Sequence, residues 1–357
     1  VTLDNTGAEV YASIFAFAES PVKAGVLWAG SDDGLVHVSQ DDGKTWTNIT
    51  PTALPEWALI SFVEPSHFDA ATCYVSATRY KKADSRPYVF KTSDFGKTWK
   101  LITTGLPEDI YNRCVREDPN KKGLLYCGLE TGIYVSFDDG ANWQSLQLNL
   151  PNTPIHDIQI QKRENDLVVA THGRSFWILD DITPLYQLAD AANKNYYLYK
   201  PRTAYRTKGG FSDDATAQEG TNAPNGVMLR YFLKDRPAKE VKLRFETAAG
   251  DSIITFSSLK NVNGEPAEIS KDFYESKTKK YGMLSIDSGM NMFAWDMQYP
   301  AAKGDTGVTF MGGSFAGPSV VPGSYNVKLF VGDSLVQAQP ITIVNDPRYS
   351  FTTADLT

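Results

Sequence analysis

The sequence predicts an all-β fold, and three observations carry that prediction. An octet returns three times, as SQDDGKTW at 39–46, TSDFGKTW at 92–99 and SFDDGANW at 136–143. Short runs of alternating apolar and polar residues, bounded by turn residues, fill the chain, and helical periodicity is almost absent. Aromatic residues make up 12% of the chain, and such side chains suit a pleated surface. The octets start 53 and 44 residues apart, a spacing that fits one four-stranded propeller blade per repeat.

Each unit divides into four strands. The first reads YASIFAFAE, GVLWAGS, LVHVSQ and TWTNIT; the second LISFVEPS, TCYVSATR, YVFKTSD and TWKLIT. NRCVREDP, LLYCGLE, IYVSFD and NWQSLQL make the third. A fourth copy, HDIQIQK, DLVVATH and SFWILDD, keeps the flanks and has lost the octet. The octet therefore falls on the hairpin between strands three and four. Asp-x-Gly supplies a tight turn, the Asp carboxylate and the Ser or Thr hydroxyl accept turn amides, and the closing Trp packs beside them. The residues concerned are Ser39, Asp41, Gly43 and Trp46; Thr92, Asp94, Gly96 and Trp99; and Ser136, Asp138, Gly140 and Trp143. The octet resembles the Asp box, S/T-x-D-x-G-x-T-W, of sialidases, sortilin-type receptors and related propellers (BNR repeats). The third copy departs from it at Asn142, where Thr is usual.

After residue 181 the texture changes. Residues 182–226 are polar and irregular and read as a connector. From Val227 strands resume: VKLRFETAAGDSIITF forms a hairpin pattern with Val241, Leu243 and Phe245 on one face, followed by GMNMFAWDMQYP, VPGSYNVKLFVGD and QPITIVNDP. This reads as a β-sandwich. Its segments 291–296 and 322–325 resemble the immunoglobulin-like module that closes many bacterial secreted proteins. The expected organisation is four Asp-box blades over 1–185, a connector over 186–226, an immunoglobulin-like sandwich over 227–347 and a tail over 348–357.

From IFAFAESP through THGRSFWILDD to NDPRY, the chain resembles bacterial sortilin-like proteins described as BNR-repeat "glycosyl hydrolases". The resemblance implies a secreted, periplasmic or cell-surface setting and a propeller of more than four blades. The fourth unit looks incomplete, and a propeller that does not close leaves raw edges. The expectation is therefore a partial ring, its remaining blades supplied by further sequence or by a partner chain. The first residue, Val1, agrees with that.

The net charge is −7 with no Lys/Arg cluster, which argues against a nucleic-acid partner. No apolar run reaches the length of a membrane span, and no signal peptide is expected within these residues. Three cysteines are too few for a disulfide scaffold. A hairpin symmetric about DPNKKG would set Cys114 opposite Cys127, open to a bridge; two small core thiols are the alternative.

Propeller connections alternate between two faces. The octets share one face with the strand-one-to-two turns. The strand-two-to-three loops and the inter-blade links lie on the other, where propellers usually bind. Those loops hold the ligand-binding candidates Trp57, Arg79, Tyr80, Tyr111, His172 and Arg174, with Arg86 and His156 beside them. Guanidinium groups grip carboxylates or phosphates, and aromatic rings stack on sugars. A glycosidase would need two carboxylates flanking the bond. Asp33 with Glu108 or Asp109 are the catalytic candidates; solvated loop charges are the alternative reading. In THGRSFW, Arg174 either faces a ligand with His172 or pairs with Asp180 or Asp181 to lock the last blade. No zinc, EF-hand or phosphate-loop motif occurs, and no cofactor is expected beyond Ca²⁺ in a turn such as Ser31–Asp32–Asp33–Gly34. The leading expectation is non-catalytic recognition of a polypeptide or glycan. A polysaccharide-cleaving glycoside hydrolase and a structural subunit of an envelope complex are the alternatives.

Overall fold

The structure, a computed structural model, describes residues 12–207, 223–259, 284–300, 317–350 and 352–356. It is nearly all β and divides into two compact units, Val1–Asp180 and Asp181–Thr357.

In the first unit, antiparallel sheets follow one another along the chain. The first joins β1 (Ile14–Glu19), β2 (Leu27–Ser31), β3 (Val36–Ser39) and β4 (Thr47–Asn48) in that order. The second joins β5 (Leu59–Pro65), β6 (Cys73–Arg79), β7 (Asp84–Thr92) and β8 (Lys100–Leu101). The third joins β9 (Asn112–Glu117), β10 (Leu125–Leu129), β11 (Gly132–Ser136) and β12 (Gln144–Ser145). The fourth joins β13 (Ile155–Gln161), β14 (Asp166–Thr171) and β15 (Phe176–Leu179), with no fourth strand among the described residues. β1 lies beside β5, β5 beside β9 and β9 beside β13. The sheets are thus arrayed as blades of a β-propeller, first strands innermost.

Apolar faces of neighbouring blades meet. Trp28, Val36 and Val38 of blade one pack with Ile60, Val75 and Phe90 of blade two. Tyr74, Val89 and Ile102 of blade two pack with Val115, Cys127 and Trp143 of blade three. Each large side chain buried this way is worth about 1.5–3 kcal/mol. The octets clamp the outer hairpins. Ser39 Oγ donates to Asp41 Oδ1 (2.9 Å) and accepts from Gly43 N (2.9 Å), while Thr45 Oγ1 donates to Asp41 Oδ2 (2.6 Å). Thr92, Asp94, Gly96 and Thr98 repeat this at 2.7, 2.9 and 2.6 Å. In the third copy Asn142 Nδ2 donates to Asp138 Oδ2 at 2.7 Å, so the amide replaces the usual hydroxyl bond for bond.

Cys114 pairs with Gly128 and Cys127 with Val115, so the two cysteines are offset by one residue rather than opposite. A one-residue offset sends the side chains to opposite faces of the sheet, and a bridge between them is excluded. All three thiols are free and buried.

The second unit opens with a 3-10 helix (Thr183–Gln187) that runs into a short α-helix, α1 (Leu188–Ala191), the latter within the stretch expected to be a connector. β16 (Tyr196–Leu198) and β17 (Ala204–Arg206) from the same stretch join the sheets that follow. One sheet has the order β16, β18 (Val227–Leu233), β21 (Gly289–Trp295). The other has the order β17, β23 (Ser334–Asn345), β22 (Gly323–Val331), β19 (Val241–Thr247), β20 (Ser252–Ser257). Val241, Leu243 and Phe245 are fully buried on one face of β19, and they share a core with Leu229, Tyr231 and Trp295 of the other sheet. Asp181 is held by Arg230 at 2.6 Å in this unit. Residues 208–222 of the expected connector lie outside the described residues.

Candidate functional site

Each innermost strand of the propeller unit breaks register at the same place. The pairing jumps from Ile14 to Ala16, from Ile60 to Phe62, from Asn112 to Cys114 and from Ile155 to Asp157. The skipped residues are Phe15, Ser61, Arg113 and His156. A bulge re-aims a side chain that regular pleating would send elsewhere. The bulges lie at the end of the innermost strands that adjoins the inter-blade links and the strand-two-to-three loops.

Arg113 is the centre of a polar and aromatic cluster there. Its Nε donates to Glu130 Oε2 at 2.9 Å and its Nη2 to the Tyr111 hydroxyl at 3.0 Å. Its guanidinium lies 5.0 Å from the centre of the Tyr111 ring and 5.5 Å from that of Tyr80. The two rings stack on each other at 5.0 Å, 16° from parallel. The backbone closes the arrangement, with Glu130 N donating to Tyr111 O at 3.1 Å. Burial pushes the Tyr111 hydroxyl pKa up, and its bond to Glu130 adds to this. Tyr80 keeps 41% of its surface exposed. His156, at the next bulge, stacks on His172 at 4.8 Å. Burial lowers its pKa, and the charge of Arg113 and the neighbouring His172 push the same way. The fold thus brings Tyr80, Tyr111 and His172 into one region with Arg113 and His156. Arg113 was missed by sequence reasoning. It sits inside the strand pattern NRCVRE, where an Arg on the polar beat reads as plain surface.

The remaining candidates are placed around this region. Arg79 Nε donates to Glu56 O at 3.0 Å and its Nη1 reaches Asp84 at 3.5 Å. Asp84 also accepts Arg86 (2.8 and 2.9 Å) and the Tyr88 hydroxyl (2.7 Å); the Arg86 bonds hold its carboxyl far below the usual range. Trp57 is half-exposed at a left-handed backbone position, φ 65°. Arg174 lies in an exposed turn whose main-chain oxygen accepts the Trp177 indole at 2.8 Å. Of the carboxylates, Glu108 and Asp109 border a shallow hollow with Asp84 and Arg86. Asp33 is not among its lining residues; it accepts from Ser31 within its own turn. Asp32 in that turn accepts from Ser13 N at 2.9 Å. Among the described residues no three carboxylate, His or Cys side chains gather to hold a metal ion. Among the same residues no helix is long and apolar enough to cross a membrane.

The opposite ends of the innermost strands carry a second polar network. Arg116 donates to Glu64 Oε2 (2.8 Å), Asp157 Oδ1 (3.0 Å) and Ile158 O (2.8 Å), tying blades two, three and four together. Glu117 accepts from Ser66 Oγ at 2.6 Å and His67 N at 2.8 Å. Burial pushes the Glu64 carboxyl up to about 7, against the pull of Arg116. These groups satisfy one another, which marks the network as a clasp between blades.

No family model and no curated protein matches the chain. Among solved structures the chain is similar in fold to YCF48 from Cyanidioschyzon merolae, at 19% identity and TM-score 0.32, over 48% of this chain and 57% of that one. It is similar to the GH74 xyloglucanase from Xanthomonas campestris, at 15% identity and TM-score 0.40, over 62% of this chain and 36% of that one. It is also similar to YCF48 bound to D1 peptide, at 14% identity and TM-score 0.35, over 72% of each chain. The chain spans little more than half of the first of these proteins and about a third of the second. Each is a likeness of fold alone.

Proposed function

We propose that this chain is a binding protein of the secreted, periplasmic or cell-surface kind, and that the loop face of its propeller recognises an extended polypeptide or a glycan. The observation that carries the reading is the arrangement of Arg113, fixed between Glu130 and Tyr111 and lying over the Tyr80–Tyr111 stack. A bulge aims the Arg, a carboxylate neutralises it, and two rings immobilise it. A group held this way needs little reordering on binding, which favours affinity. Tyr80 offers a ring for a sugar or an aromatic side chain, and the His156–His172 pair extends the surface. In this reading the octets are Asp boxes of a sortilin-like propeller and act as hairpin clasps. The two sheets of the second unit form an immunoglobulin-like module that serves as a spacer.

A second reading, hydrolysis of a polysaccharide, has one observation in its favour: Glu108 and Asp109 edge the same hollow. The experiment that separates the readings is a glycan array and a peptide array probed with the full chain, alongside a polysaccharide-hydrolysis screen. Binding that falls at least about tenfold in Arg113→Ala, with hydrolysis absent, supports recognition. Hydrolysis abolished by Glu108→Gln or Asp109→Asn would overturn it.

A further inference from the structure

The Arg113 cluster is closed on one side and open on the other. Glu130 and the Tyr111 hydroxyl occupy Nε and Nη2 of Arg113, and Nη1 has no partner among the described residues. The imidazoles of His156 and His172, stacked on each other, likewise hydrogen-bond to no described group. Their backbone is nevertheless fixed. The register break between Ile155 and Asp157 turns His156 out of the ladder. His172 N donates to Pro154 O at 2.9 Å, and Thr153 Oγ1 donates to His172 O at 3.3 Å. Donors held in place and left to solvent meet a ligand with little reordering.

The charges choose the sign of that ligand. His156 faces Arg113 of β9, Glu130 of the β10–β11 turn and His172 of the turn after β14. Arg113 and Glu130 offset each other, and Arg174, two residues beyond His172 in the same exposed turn, adds a further guanidinium. Each proton taken up by an imidazole adds to this local positive charge, in a chain whose net charge is −7. The guanidinium of Arg113 opposes a metal cation at the imidazoles. An anion instead meets Arg113 Nη1 and a protonated ring. A carboxylate has two oxygens for these two donors. Its single charge suits a site where Glu130 already offsets Arg113.

The neighbouring surface narrows the ligand further. Tyr80 lies with one face on Tyr111 and keeps much of its ring open to solvent. Arg79 Nε ties this loop to the link that carries Trp57, a second half-exposed ring. The hollow bordering the same loop is walled by Asp84, Arg86, Glu108 and Asp109. Such walls bond to sugar hydroxyls and offer no socket to the apolar side chains that anchor a peptide.

We propose that the loop face binds an acidic glycan, a uronic-acid oligosaccharide whose carboxylate sits between Arg113 Nη1 and the His156–His172 pair while its ring lies on Tyr80, and that proton uptake by the pair tightens binding as pH falls. The inference rests on the reading of this face as a recognition surface, and it names the ligand class and its regulation. Burial, helped by the charges of Arg113 and His172, keeps His156 below the ordinary imidazole range in the free chain. A bound carboxylate favours the imidazolium, so binding and protonation are coupled. The sugar carboxylate itself stays ionised above about pH 4.

The test is isothermal titration of the full chain with oligogalacturonate, oligomannuronate and a hyaluronan tetrasaccharide, and with the carboxyl-reduced form of each, at pH 7.5 and pH 5.5. An array of acidic peptides is the counter-ligand. At least one acid oligomer should bind, at least about fivefold more tightly at pH 5.5 than at pH 7.5. Its carboxyl-reduced form should bind at least about tenfold more weakly. In His156→Gln/His172→Gln the ratio between the two pH values should fall toward one, with the unfolding midpoint showing that the fold is kept. The proposal is overturned if no acid oligomer binds, if the reduced form binds as well as its parent, if the variant keeps the full ratio, or if only the acidic peptides bind. Arg113→Ala judges the underlying reading separately. A neutral glycan or a peptide whose binding falls in that variant leaves loop-face recognition standing while the acidic glycan fails. An acid oligomer whose binding Arg113→Ala does not move overturns both.

Discussion

Trp143 donates its indole N–H to the main-chain oxygen of Ile102, 2.7 Å away and one blade earlier. The ring is 5% exposed, so both partners of this bond are shielded from water. Removing the donor leaves a buried oxygen without its partner, which costs about 1–3 kcal/mol. Trp143→Phe should therefore lower the stability of the propeller unit by about that much, read as a shift in the urea midpoint at constant slope. Trp46→Phe is the internal control. Its ring is 41% exposed and bonds only within its own turn, so its effect should stay within about 0.5 kcal/mol. Equal effects at the two positions would contradict the assignment of Trp143 as an inter-blade bond.

Gly96 stands at φ +80° with Ile49 pressed against it. A methyl group there meets two separate penalties, the left-handed backbone and a contact of 2.5 Å with the isoleucine. Gly250 shares the first penalty, at φ +97°, and has nothing within 4 Å. Gly250→Ala should cost about 1–2 kcal/mol. Gly96→Ala should cost more than that, and trimming the neighbour in Gly96→Ala/Ile49→Ala should cost less than the sum of the two single changes. A double-mutant cycle by denaturant unfolding gives the answer; strict additivity would mean that the isoleucine does not press on this turn.

Much of this architecture was legible because it rests on local chemistry. The Ser39–Asp41–Gly43–Thr45 pattern fixes its own hydrogen bonds, so three occurrences announced three hairpins, and even Asn142 kept the bond that a threonine makes. The alternation in VKLRF put Val241, Leu243 and Phe245 on a buried face as expected. What stayed illegible depends on register. Nothing in NRCVRE marks Arg113 as the skipped residue of a bulge, or Arg116 as a tie between three blades, because both read as polar beats of a strand. The same one-residue uncertainty misplaced Cys114 opposite Cys127. β16 and β17 are three residues each, too short for periodicity to announce, and they acquire their strand character only by pairing with β18 and β23.

Glu64 gives the propeller unit a pH dependence of definite sign. Burial lifts its carboxyl from 4.5 to about 7, and burial likewise lifts its neighbour Glu117. A carboxyl with a raised folded pKa binds its proton more tightly in the folded chain. Its contribution is fully present below about 4.5 and is lost as pH rises through about 7. Stability should thus rise as pH falls from about 8 to about 5, by at most about 3 kcal/mol from Glu64 itself. Asp41 and Asp94 act in the opposite sense at lower pH. Threonine hydroxyls hold both carboxyls near 2, so their contribution is present above about 3.8 and is lost as the solution is acidified further. Urea midpoints between pH 4 and pH 8 should show the rise, and Glu64→Gln should flatten it. A slope unchanged in that variant would assign the dependence to other groups.

The three thiols should be silent in the folded protein. Cys73, Cys114 and Cys127 are buried, and burial raises their pKa, for Cys114 to about 12. A thiol reagent attacks the thiolate, so reaction requires unfolding. Labelling with an aromatic disulfide at pH 8 should be undetectable in native buffer and reach all three sites in denaturant. Fast labelling of one site in native buffer would show that a blade opens locally.

Arg113 separates a positioned guanidinium from a mere positive charge. Its two donors address Glu130 and the Tyr111 hydroxyl at once, and its flat face covers two rings. A lysine keeps the charge and loses both the fork and the planar contact. If the loop face binds its ligand through this cluster, Arg113→Lys should resemble Arg113→Ala, each weakening binding at least about tenfold. Tyr80→Phe should bind nearly as well as the parent, because the ring stack is retained, while Tyr80→Ala should not. Isothermal titration against the best array hit provides the comparison, with the unfolding midpoint of each variant confirming that the fold is kept. If Arg113→Lys bound like the parent, charge alone would suffice, and the bulge that aims this residue would have no part in recognition.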